Sequence, residues 1–110
     1  VYTGTHDNNT TVGWWLKDTR QDVRANLKQY VDEPGISQNT IHLVLGKMAY
    51  ASVAKTVIIP IQDVLGLDES ARMNTPASIK SNWIWRLKAR QLMPGSKNQL
   101  LKWARLYNRI

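Results

Sequence analysis

Apolar positions along the chain change period several times, and each change marks an element. Val1 to Thr5 combines β-branched and aromatic residues and predicts a short strand over 1–5. Thr10 to Leu16 suits one or two helical turns. Val23, Leu27, Tyr30 and Val31 then recur at helical spacing, which predicts a helix over 18–31 with Asp18 as N-cap, stopped by Pro34-Gly35. Ile41, Val44, Leu45, Met48, Ala49 and Ser52 form a second stripe at the same spacing, predicting a helix over about 37–53 capped by Ser37. Thr56 to Pro60 is a continuous β-branched run closed by proline, the pattern of a strand buried on both faces. The remainder, about 81–109, reads as a helical segment.

The order strand, helices, strand is a βαβ crossover, which joins parallel strands. Two strands alone do not make a stable sheet, so further strands are expected to flank them. The chain opens inside the first strand without an initiator Met, and those neighbours are expected upstream of Val1. The expected class is α/β, the C-terminal part of a (β/α)8 barrel with two short parallel strands. Sites in such barrels sit at the C-terminal ends of the strands. His6-Asp7 follows the first strand and Gln62-Asp63 the second, so both polar pairs are expected to open onto one face.

Composition narrows the chemistry. The 110 residues contain no Cys, which excludes disulfides, thiolate metal sites and thiol catalysis. No apolar run approaches the ~20 residues that span a bilayer, and no membrane partner is expected. The two histidines, His6 and His42, are too few and too far apart in sequence for a zinc site, and neither metal nor organic cofactor is expected. His42 falls off the apolar stripe of its helix and reads as a surface residue.

The net charge of +7 suggests a polyanion partner until it is divided by region. Residues 1–79 carry seven Lys/Arg against eight Asp/Glu, whereas residues 80–110 carry eight Lys/Arg and no acid. Leu100, Trp103, Ala104 and Tyr107 share one face of the last predicted helix, with Lys97, Lys102, Arg105 and Arg109 on the rest. A free-standing basic module of this kind would bind nucleic acid. The preferred reading is a solvated charged face on a helix packed against a parent barrel. Without that barrel, the exposed apolar face favours dimerisation or swapping between copies. Most of the five tryptophans, Trp103 first, read as core, and Trp14 and Trp15 are left open as sugar-stacking candidates.

Two long motifs carry a resemblance. "YTGTHDNNTTVGWW" (2–15) and "VIIPIQDVLGLDESARMNTPASIKSNWIWRL" (57–87) resemble, in order and spacing, segments of the 4-α-glucanotransferases, the amylomaltases or plant disproportionating enzymes. The resemblance implies a retaining transglycosylase of the α-amylase clan that moves α-1,4-glucan segments to a sugar acceptor. It implies that the nucleophile and the acid/base lie upstream, so that the 110 residues alone are inactive. It matches Asp7 to the family's third carboxylate, which grips two hydroxyls of the glucose ring at the cleavage point, with His6 beside it. Asn74, in "RMNTP", matches an asparagine facing the same subsite, and Trp14 is a further candidate sugar contact. The implied partner is an α-1,4-glucan or maltooligosaccharide, not nucleic acid, and the implied compartment is bacterial cytoplasm or plastid. A non-catalytic glucan-binding fragment is the remaining alternative. The family's glycine after Pro76 is replaced by Ala77, which is strained wherever that glycine takes positive φ.

Overall fold

The computed structural model describes residues 1–110. It is mostly helical. A short helix α1 (Thr11–Gly13) runs into a π-helical turn (Trp14–Asp18) and is followed by α2 (Gln21–Val31) and α3 (Ile41–Ala51). One-turn α4 (Ile61–Val64), a 3-10 turn (Glu69–Ala71) and α5 (Pro94–Leu106) complete the order.

The core forms where the α3 stripe meets the first helical turns. Val12, Trp15, Ile36, Ile41 and Val44 are its buried residues, with Trp14, Leu27, Val31, Leu45 and Met48 packed against them. Every member of the expected stripe from Ile41 to Ser52 is buried or half-buried. The α2 stripe is only half used: Leu27 and Val31 pack, while Val23 is 37% exposed and Tyr30 78%.

Helix starts differ from expectation, for local reasons. Asp18 closes the π turn instead of capping α2, whose N-cap is Arg20. The Thr19 amide and hydroxyl both donate to the Trp14 carbonyl, at 2.9 and 2.6 Å, which ends the π turn and separates Asp18 from α2. Ser37 opens a separate turn, its carbonyl accepting from the Thr40 amide at 3.1 Å, and α3 begins only after Thr40.

The expected parallel strands are not formed as strands. Their two segments meet at one parallel bridge, Tyr2 with Ile58. The Ile58 amide donates to the Val1 carbonyl at 2.9 Å, and the Val1 nitrogen donates to the Thr56 carbonyl at 2.8 Å. Tyr2 and Ile58 are each 60% exposed, so neither segment has the second neighbour that would extend the bridge into a ladder.

Residues 81–93 are not helical either, which shortens the expected 81–109 segment to α5. Ser81, Trp83 and Arg90 hold positive φ of 59°, 62° and 70°, which a right-handed helix cannot accommodate. Pro94 pushes Met93 to ψ 154° and then occupies the first helical position, where its missing N–H costs nothing.

α5 packs on α3 through Trp103, whose indole lies against Gly46. A Cβ built on Gly46 would stand 2.8 Å from the ring, so glycine is what permits the approach. Arg109 does not lie on the solvated face assigned to it. Its guanidinium donates to the carbonyls of Tyr50, Ser52 and Ala54 at 2.7, 2.9 and 2.9 Å, satisfying orphan acceptors at the C-terminal end of α3.

Candidate functional site

The His6-Asp7 pair sits in a tight turn built by its neighbours. The Asn8 side-chain oxygen accepts from the Thr5 amide at 2.8 Å and the Thr5 hydroxyl at 3.0 Å, and the Asn8 amide donates to the Thr5 carbonyl at 3.2 Å. Asx-type bonds of this kind stabilise a turn by replacing water as partner to its backbone. The turn holds two long side chains outward at the end of the first extended segment.

A second loop, beginning at Arg72, closes on that turn. The Arg72 guanidinium donates to the backbone carbonyls of Asp7 at 2.8 Å and of Asn74 at 2.9 Å. The Asn74 amide donates to the His6 carbonyl at 3.1 Å, and Asn74 Nδ2 donates to Asp7 Oδ1 at 2.7 Å. His6 Nε2 lies 3.3 Å from Asp7 Oδ2. The side chains of His6 and Asp7 nevertheless remain 57% and 50% exposed, so the carboxylate is positioned without being covered. A carboxylate has about four lone-pair sites, and these two contacts leave acceptor capacity on each oxygen. Asp7 with its flanking imidazole and amide thus forms a fixed set of acceptors and donors suited to adjacent hydroxyls.

The structure therefore brings His6, Asp7 and Asn74 together. Trp14 is half-buried, packs against the core and borders the same hollow as Asp7, Asn8 and Arg72. Trp15 is buried at 4% exposure and belongs to the core, as does Trp103 at 7%.

Gln62 and Asp63 border a hollow shared with His6 and Arg72, as the sequence led us to expect, but not as a free polar pair. Asp63 is 4% exposed and staples three segments together. Its Oδ2 accepts from the Thr3 hydroxyl at 2.7 Å, and its Oδ1 accepts from the Thr11 amide, at the start of α1, at 2.8 Å. Gln62, 9% exposed, donates to the Ala71 carbonyl at 3.1 Å. Burial of a polar group costs free energy that such bonds offset, and the bonding removes both side chains from solvent chemistry.

Two residues near the site were not singled out by sequence reasoning. Arg72 ties the two loops; its only sequence signal is its place two residues before Asn74. Trp83, expected in the core, is 52% exposed, and its indole lies 5.0 Å from the His6 ring at an interplanar angle of 38°. His42, in turn, is not a surface histidine. It is half-buried against Gly66, its Nδ1 is enclosed without a partner, and burial lowers its pKa, with Asp63 opposing that shift.

Residues 1–92 match a family model described as 4-alpha-glucanotransferase. A chloroplast/amyloplast 4-alpha-glucanotransferase of rice (Oryza sativa subsp. japonica) is 46% identical over 87 residues, 79% of this chain and 14% of the rice protein. The 4-alpha-glucanotransferase of Streptococcus pneumoniae is 37% identical over 110 residues, all of this chain and 21% of its own length. An amylomaltase from Streptococcus agalactiae, solved in complex with acarbose, superimposes with a TM-score of 0.84 at 32% identity, over 97% of this chain and 21% of that one. The chain thus spans about a fifth or less of the length of these relatives. With both motifs in place and the fold of the matching amylomaltase segment, this chain belongs to the 4-alpha-glucanotransferase family.

Proposed function

We propose that these 110 residues work as the C-terminal part of a (β/α)8 catalytic barrel in a retaining 4-α-glucanotransferase, an enzyme that transfers α-1,4-glucan segments to a sugar acceptor. Asp7 grips two hydroxyls of the glucose ring at the cleavage point, and His6 and Asn74 flank it. Such a grip accelerates the reaction to the extent that it favours the distorted, oxocarbenium-like ring over the relaxed one. Trp14 contributes an apolar wall to the same hollow.

One observation carries the reading. The Asn74–Asp7 bond, at 2.7 Å, joins the "THD" and "RMN" motifs into one exposed, preorganised cluster across 67 positions of sequence. Preorganisation is what lets fixed polar groups stabilise a transition state without reorganising during the reaction. The acarbose complex of the amylomaltase neighbour supports a saccharide as the ligand class. The basic C-terminal helix gives little support to nucleic-acid binding, because Trp103 is buried and Arg109 is bonded inward to α3.

Retaining transfer needs a nucleophilic carboxylate and a second carboxyl ~5 Å apart, and neither is assigned within these residues. The chain by itself is accordingly inactive, and the activity belongs to the full-length gene product. Plastid names among the plant relatives, and bacterial relatives such as Streptococcus pneumoniae, favour plastid or bacterial cytoplasm as the compartment. No helix is long and apolar enough to cross a membrane.

Glucose release from maltotriose tests the proposal, comparing the 110 residues, the full-length product and that product with Asp7→Asn. Activity confined to the full-length product and abolished by Asp7→Asn is the expected result. A well-folded, inactive full-length product sinks the transferase reading, and activity in the 110 residues sinks the assignment of the missing carboxylates.

A further inference from the structure

Trp83 is held in a conformation that a bulky side chain rarely adopts. Its φ is +62°, in the left-handed region where residues other than Gly, Asn and Asp are outliers. Both backbone groups are nonetheless engaged: its amide donates to the Met73 carbonyl at 2.7 Å, and its carbonyl accepts from Arg86 Nη1 at 3.0 Å. The intervening loop is pinched a second time, where the Thr75 amide donates to the Asn82 side-chain oxygen at 2.9 Å. A strained backbone that its surroundings over-determine is a sign of functional placement.

The strain delivers the indole to one side chain. Trp83 lies 5.0 Å from the His6 ring at 38°, within the range of an attractive aromatic pair, while half of its own surface stays open to solvent. Burial does not account for an indole left 52% exposed. His6 needs such a neighbour, because its imidazole is 57% exposed and its only other side-chain partner is Asp7 Oδ2 at 3.3 Å. We infer that Trp83 is a positioning residue: its indole fixes the His6 imidazole against Asp7, so that histidine and carboxylate meet the substrate as one rigid pair. The inference deepens the glucanotransferase reading and rests on it.

The placement is testable apart from activity. The chain has two histidines, hence two imidazole C2-proton signals in its NMR spectrum. Trp83→Leu keeps apolar bulk but removes the ring current, and is expected to shift the His6 signal while leaving that of His42 in place. Trp83→Phe is expected to restore part of the shift. A His6 signal unmoved in Trp83→Leu overturns the contact.

The consequence is read in the full-length protein. Trp83→Leu is expected to lower kcat on maltotriose roughly 10- to 100-fold, the scale of a misplaced reacting geometry, with little change in KM and partial rescue by Trp83→Phe. In a His6→Ala background the same change is expected to add nothing. Losses that multiply in the double variant overturn the inference while leaving the transferase reading intact. An inactive wild-type protein overturns both, whatever the NMR result.

Discussion

Asn74 donates from Nδ2 to Asp7 Oδ1 at 2.7 Å, and the same residue's amide donates to the carbonyl of His6 at 3.1 Å. One side chain and its own backbone thus bind both members of the exposed pair. The aim of the Asp7 carboxylate is set by a loop far away in sequence.

Asn74→Ala should therefore cost activity more than stability. Loss of one preorganised donor in an active site lowers kcat about 100-fold or more, whereas the backbone bond from position 74 survives. Asn74→Asp should be worse, since it sets a second carboxylate at hydrogen-bond distance from the first. Maltotriose kinetics beside urea titration of the full-length protein separates the two effects. Equal activity in Asn74→Ala would remove Asn74 from the site.

Ala77 holds φ 63°, the left-handed conformation expected if the family's glycine sits at positive φ. An L-residue there carries about 1–2 kcal/mol of strain, and glycine relieves it while restoring about 0.5–1 kcal/mol of unfolded-state entropy. Ala77→Gly should stabilise the chain by about 0.5–1 kcal/mol in urea unfolding, and a loss of stability would refute the strain.

Gly46 and Gly35 make a matched pair. A Cβ at Gly46 would meet the Trp103 ring at 2.8 Å, and one at Gly35 would meet nothing within 4 Å. Gly46→Ala should destabilise by about 1–3 kcal/mol through overpacking and alter tryptophan fluorescence. Gly35→Ala should do neither. Similar midpoints for the two variants would contradict the close approach of α5 to α3.

His42 makes stability depend on pH. Burial lowers its folded pKa below the ordinary 6.5, with the opposing pull of Asp63 the smaller effect. The unfolded chain thus binds the proton more readily, so stability rises with pH across this window. The contribution is complete above about pH 6.5 and is lost as pH falls toward the lower folded pKa. Urea midpoints between pH 7.5 and pH 5 should fall in the wild type and fall less in His42→Gln. Parallel profiles would exclude His42 as the cause.

Local patterning determined much of this protein. The stripe from Ile41 to Ser52 located α3 and the face it buries, because helical period and apolar spacing depend on neighbours a few residues apart. The two motifs carried the family resemblance, and with it Asp7, His6 and Asn74 as candidates, because those motifs were legible as sequence. Tertiary structure decided what lies beyond that range. The runs at 1–5 and 56–60 have strand-like composition, but two strands without further neighbours are only marginally stable, and one bridge is what they form. Asp63 looked like a site carboxylate until Thr3 and Thr11 took its oxygens. Arg109 looked solvated until the open end of α3 claimed its guanidinium. Trp83 looked like core until its positive φ carried it out to His6. For Asp63 and Arg109 the deciding partner lies dozens of residues away, where composition and period carry no information and only folding brings the two together.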